Sequence, residues 1–172
     1  MHTFNTIIGR RFSVTGVFGY EFIDDAGETV SVSSVVVPSA PVMIYGYGRQ
    51  WKSDYDQKST IIPGRTRRVV DQKTQCVVGV IKYIDDGIYT INDGVTVRCY
   101  EKEYRFYAGE TEDRLIAVLG KGSVRGAVGG IPIDDGNDEH SNLDIYVSCI
   151  AEDIPYDTVL LILSFPMLRF AF

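Results

Sequence analysis

The sequence is poor in the residues that metal and nucleophile chemistry draws on. Only His2 and His140 are histidine in 172 residues, and the first stands at the extreme N-terminus. No His-x-x-x-His or Cys-x-x-Cys pair is present, which removes the common zinc spacings. Cys76, Cys99 and Cys149 are odd in number and far apart, each in an apolar, strand-like run. They make no disulfide framework and read as buried, reduced thiols of a cytoplasmic protein. His140 could partner Ser123, Ser141 or Cys149, but no Gly-x-Ser-x-Gly elbow is there to present a nucleophile. No metal or cofactor is therefore expected.

Long apolar runs are also missing. The run Val159 to Leu163 falls far short of the roughly 20 residues a bilayer requires, so no transmembrane segment is expected. The opening residues MHTFNTIIGRRF lack a charged region followed by an apolar one, which argues against a secretory signal and for the cytoplasm. There is no linker, low-complexity tract or heptad run, and residues 1–172 read as a single domain. Positive charge is in deficit. The net charge of −6 argues against nucleic acid as a partner.

What the chain does have is β-branched and aromatic residues in short runs, cut by turns. Strands are expected at Phe12–Ile23 (broken near Gly16 or Gly19), Thr29–Val37, Val42–Tyr47, Arg67–Val70, Cys76–Tyr83, Ile88–Ile91 and Val95–Glu101. Others are expected at Glu103–Tyr107, Arg114–Leu119 and Leu143–Ile150. Asp86-Gly87 and Asp93-Gly94 are hairpin signals, and Thr29-Val30-Ser31-Val32-Ser33 alternates as a strand with one buried face does. Residues 46–68 and 120–142 read as long loops, the second with a short strand near Val124–Val128. The final segment, IPYDTVLLILSFPMLRFAF, is apolar on every side of a helical wheel, so a helix there must be enclosed. The expected fold is mainly β: a closed or nearly closed antiparallel barrel of about ten to twelve strands around a hydrophobic C-terminal helix near 156–171. Pro166 should bend that helix or end it early.

Two strand–turn–strand units, VVDQKTQCVVGVIKY and YRFYAGETEDRLIAVLGK, stand ahead of the last strand, LDIYVSCIAED, and the helix YDTVLLILSFPMLRFAF. That order resembles the tubby C-terminal-like fold of LURP-one-related and phospholipid-scramblase-like proteins. The resemblance implies a barrel wrapped on a C-terminal helix, and an association with phosphoinositides or membrane surfaces. A lipid-binding version would need clustered cations. Arg65, Arg67 and Arg68 supply a cluster, with Arg49, Lys52 and Lys58 upstream, and guanidinium groups suit phosphate. Charge runs of this length are also common on ordinary surfaces, where they form a solvated basic loop balancing an acidic protein.

Trp51 lies among Tyr45, Tyr47 and Tyr55, a composition found at binding hot spots and also at the lids of barrels. The residues taken as candidates are Arg49, Trp51, Lys52, Arg65, Arg67 and Arg68, with an anionic lipid headgroup or a protein as partner. The run Asp134-Asp135-Gly136-Asn137-Asp138-Glu139 lacks an EF-hand's ligand order and reads as an acidic turn. Gly120 to Gly126 matches no phosphate-binding fingerprint and reads as a loop. The function expected is a non-enzymatic binding or scaffold module. The alternatives are a small hydrolase-like enzyme with an acidic site and a self-assembling subunit.

Overall fold

Alternation of buried and exposed residues along each strand bends the chain into one closed wall. The computed structural model describes residues 4–14, 17–36, 41–54, 65–101, 103–109, 114–121, 126–128, 131–133 and 145–170. The wall begins with β1 (Phe4–Val14), β2 (Val17–Ile23), β3 (Thr29–Val36), β4 (Met43–Gly46), β5 (Arg49–Ser53) and β6 (Thr66–Asp71). It continues through β7 (Val77–Asp85), β8 (Ile88–Ile91), β9 (Val95–Cys99), β10 (Glu103–Ala108) and β11 (Arg114–Lys121). A small separate sheet pairs β12 (Gly126–Val128) with β13 (Ile131–Ile133). Finally β14 (Ile145–Ala151) inserts between β11 and β1 and closes a twelve-stranded antiparallel barrel. Closure leaves none of these twelve strands as a sheet edge, which removes the usual template for aggregation.

The helix α1 (Tyr156–Phe170) runs down the barrel interior. Every residue from Val159 to Leu168 is buried, on all sides of the helix, as its uniform apolarity requires. The helix continues through Pro166 to Phe170, so Pro166 does not end it early. Close approach demands small residues on the wall. A methyl group added to Gly46 would lie 2.8 Å from Leu160 Cδ1, and one on Gly79 would lie 2.7 Å from Leu161 Cδ2. Ser31 and Ser33, both buried on β3, keep that stretch of the wall thin too. Further along, Phe165 is met edge-on by Tyr89, Tyr104 and Phe106, with ring centroids 5.3, 5.4 and 5.6 Å away.

The turns fall at two ends. At the upper end, where α1 begins, Asp24 and Asp71 each cap a turn with their side chains. Asp24 Oδ1 accepts from the N–H groups of Ala26 and Glu28, and Asp71 Oδ1 from those of Lys73 and Thr74. Asn92 and Asp93 take the left-handed conformation in the β8–β9 turn, one residue earlier than the Asp93-Gly94 signal suggested. The β4–β5 turn is left-handed at Tyr47 and Gly48, with φ of 50° and 75°. Tyr47 accepts that conformation while stacking on Tyr156 of α1, centroids 4.5 Å apart.

Several expectations need correction. β1 begins at Phe4, eight residues before the expected Phe12, and β5 lies inside a stretch read as loop. The alternation of β5 is hard to see because Ser53, one of its inward residues, is polar. Cys76 is exposed rather than buried, since it sits in the β6–β7 turn above the wall. Cys99 and Cys149 are half-buried, and all three are free.

Candidate functional site

The period-two geometry of strands divides the candidate cations instead of gathering them. On β5, Trp51 and Ser53 face inward while Gln50 and Lys52 face out. On β6, Arg67 and Val69 face inward while Thr66 and Arg68 face out. Trp51 is accordingly core, 1% exposed, and Arg67 is 4% exposed despite its charge. Arg67 Nη1 donates to the Asp54 carbonyl at 3.2 Å. Arg68 lies outside with its guanidinium 3.7 Å from Asp54 Oδ2, and its backbone N–H donates to Asp54 Oδ1 at 2.9 Å. Arg65 precedes β6 at the lower end, where its carbonyl accepts from the Tyr83 N–H. At the upper end Arg49 donates to the Asp157 carboxylate and, through Nη1, to the Tyr47 carbonyl at 2.6 Å. Arg67 is thus drawn into the wall, Arg49 is held at the upper end and Arg65 lies at the lower end, while Arg68 and Lys52 share the outer face, Lys52 opposite Val70 two residues along from Arg68.

Lys52 borders a polar groove on the outer face of β5 and β6, which Arg49, on the alternate face with Trp51, meets at the upper rim. Two cavities of about 380 and 370 Å³ meet at Gln72. The upper one is lined by Gly48, Arg49, Gln50, Asp71, Gln72 and Lys73. The lower one is lined by Pro41, Lys52, Asp54, Val70, Gln72 and Gln75, among others. The wall here is made by the pairing of Trp51 with Asp71, Lys52 with Val70 and Ser53 with Val69. The β6–β7 turn leans over it, pinned by the Gln72 N–H donating to the Gln50 carbonyl at 2.9 Å. At the lower margin Ser53 Oγ accepts from the Val42 N–H at 2.8 Å and fixes the approach to Pro41.

The electrostatics of the groove follow from which charges are already committed. Asp71 lies below the ordinary carboxylate range, chiefly because the Thr74 N–H donates to it. Burial opposes that shift, and the Lys73 N–H, the Trp51 indole and the Thr74 side chain add to it. The Trp51 N–H faces this carboxylate without closing a well-formed hydrogen bond. Asp54 is taken up by Arg68. By contrast, the ammonium groups of Lys52 and Lys73 and the carboxamides of Gln50 and Gln72 have no partner among the described residues. The groove therefore offers free donors while its acids are occupied.

Lys73, Gln50, Gln72 and Gln75 escaped the sequence reading. They sit some 20 residues apart on a strand and a turn, and only the β5–β6 register joins them. Tyr55, Lys58, His2, His140, Ser123, Ser141 and the run Asp134 to Glu139 lie outside the described residues. Among the described residues no group of three His, Cys, Asp or Glu is placed to hold a metal. No helix among them is long and apolar enough to cross a membrane.

No protein-family model matches the sequence, and no curated protein matches it. A solved structure is similar, the X-ray structure of a protein from Arabidopsis thaliana. It is 10% identical, the match covers 98% of this chain and 94% of that one, and the TM-score is 0.36. A likeness that remote carries no argument about activity, and the fold is read from the barrel itself.

Proposed function

We propose that the protein is a non-enzymatic binding module that holds an anionic group, phosphate or carboxylate, in the groove across β5 and β6. One observation carries this reading: Lys52 and Lys73 reach the groove uncommitted, while the carboxylates beside them, Asp54 and Asp71, are spent on internal donors. Ammonium groups with no carboxylate partner keep their attraction for an anion, and the charge of Asp54 is already balanced by Arg68. A hydrolase-like role draws no support from Asp71, because a general acid needs a raised pKa and this one is lowered. The barrel around an apolar terminal helix is also what the tubby-like and LURP-one-related resemblance implies. We place the chain with that group, in the cytoplasm, as part of the same proposal.

The test is binding of the purified protein to three anionic probes at low and at physiological salt: phosphatidylserine-containing vesicles, inorganic pyrophosphate and polyglutamate. Salt-sensitive binding to at least one probe, lost in Lys52→Gln/Lys73→Gln with the melting temperature unchanged, is the expected result. Binding to none of them at low salt, or binding indifferent to the two lysines, overturns the reading.

A further inference from the structure

Resting on that reading, we infer that the occupant of the groove is an extended acidic peptide segment of a partner protein, with two acidic side chains two or three residues apart. The first argument is shape. The two cavities lie end to end along β5, which spans about 17 Å for its five residues at roughly 3.3 Å each. An extended segment of about five residues matches that length, whereas a compact headgroup would fill one cavity and leave the other empty.

The second argument is hydrogen-bonding character. The free carboxamides of Gln50 and Gln72 each carry a donor and an acceptor. A phosphate only accepts, so half of each carboxamide would be left unused against it. A peptide backbone presents N–H and C=O in alternation and uses both halves. The closed barrel offers no strand edge here, so recognition runs through these side chains rather than through an added strand.

The third argument is the placing of charge. Lys52 lies opposite Val70, whereas Lys73 stands in the turn beyond Gln72, whose N–H donates to the Gln50 carbonyl, so two residue levels or more, roughly 7 Å upward, separate them along the strand direction. Phosphate recognition wants cations that converge on one point. Separated cations suit separate carboxylates, and a separation of roughly 7 Å or somewhat more corresponds to two or three extended residues. Asp71, ionised and at the upper cavity wall, disfavours a third acid beside it, so the residues between should be neutral and polar. Such an interface is small and wet, and its affinity should be modest and salt-dependent.

The experiment is fluorescence anisotropy of the full chain with an array of labelled peptides. Each peptide carries two Glu in a Gly/Ser/Asn background, at spacings from adjacent to five apart, and each has a Gln-for-Glu control. Vesicles containing phosphatidylserine are assayed in parallel. The expected optimum is a spacing of two or three. Loss of about tenfold or more is expected in the Gln controls and in Lys52→Gln/Lys73→Gln, and either single lysine variant should flatten the spacing preference. Peptides that bind no better than their Gln controls, or equally at all spacings, overturn the inference. If vesicles then bind through the same lysines, the groove is a headgroup site and the broader anion reading stands. If no anionic probe binds, both fall together.

Discussion

The two ends of α1 are held in different ways. At the upper end the contacts are polar and wet: Arg49 with Asp157, side chains 33% and 54% exposed, and Tyr156, 61% exposed, stacked on Tyr47. Arg114 adds a two-pronged grip on Asp153 just before the helix, at 2.9 and 2.6 Å. At the lower end the contacts are aromatic and dry. Phe165 sits within three rings, and Arg169 lies 5.5 Å over the Tyr104 ring while donating to its hydroxyl at 3.2 Å. Water competes with exposed ion pairs and leaves each worth little, whereas buried rings keep their full transfer energy. Stability should therefore concentrate along the buried length of the helix and its lower end. The groove adjoins the upper end, where side chains can serve recognition at small cost to the fold.

The largest effect tests whether the helix is the core at all. Removing Asp157 to Phe172 strips eight buried apolar side chains from the interior, from Val159 to Leu168. At about 1.5–3 kcal/mol each, their loss exceeds the net stability of an ordinary domain. The truncated chain should show no cooperative unfolding transition by circular dichroism or calorimetry. A sharp transition would mean that the barrel stands without its helix. Next in size, Phe165→Ala should cost about 3–5 kcal/mol in denaturant unfolding. Tyr156→Ala, at the exposed end, should cost under about 1 kcal/mol. Equal costs would erase the distinction between the ends.

The cysteines report the same contrast without disturbing the core. Cys76 is exposed in a turn at the upper end, while Cys99 faces the interior near Arg169 and is half-buried. Burial pushes the Cys99 thiol up to about 11, against a smaller pull from Arg169 and with a further push from Asp86. The thiolate is the reactive form, so alkylation of Cys99 near pH 8 should run about 100-fold or more behind that of Cys76, and should quicken as pH rises toward 11. Peptide mass spectrometry after timed iodoacetamide treatment reads both rates. Comparable rates would place Cys99 in contact with solvent and open the lower end.

Much of this architecture was legible in the residues, for reasons that can be named. A helix apolar on all sides has to be enclosed, and Val159 to Leu168 is. Asp86-Gly87 marks a real hairpin, because glycine takes the left-handed conformation there at φ 70°. β5 was hidden because alternation is sought in apolar residues, and Ser53 faces inward through a hydrogen bond to Val42. Arg67 misled for a related reason: a charge reads as exposed, and only the neighbouring strand reveals the Asp54 carbonyl that receives it. Tyr47 breaks the usual turn chemistry, and its stacking partner Tyr156 is more than 100 residues away. The groove was least legible, because its lysines and glutamines meet through register rather than through any spacing motif.

The smallest effect is the most pointed test of the upper end. Arg49 and Asp157 are both substantially exposed, so their coupling in a double-mutant cycle of Arg49→Gln and Asp157→Asn should be about 0.2–1 kcal/mol and should shrink with added salt. Asp157 also lies in the first turn of α1, where a carboxylate faces the positive end of the helix dipole. Asp157→Asn should therefore cost about 0.3–1 kcal/mol beyond that coupling, and more than Arg49→Gln. Because Arg49 lines the upper cavity, removing its carboxylate partner also frees a guanidinium toward the groove. Asp157→Asn should then tighten acidic-peptide binding about two- to threefold while lowering stability slightly. A coupling well above 2 kcal/mol would show that the upper end is locked as firmly as the lower one. Unchanged peptide affinity would show that Arg49 serves the helix alone and leaves recognition to Lys52 and Lys73.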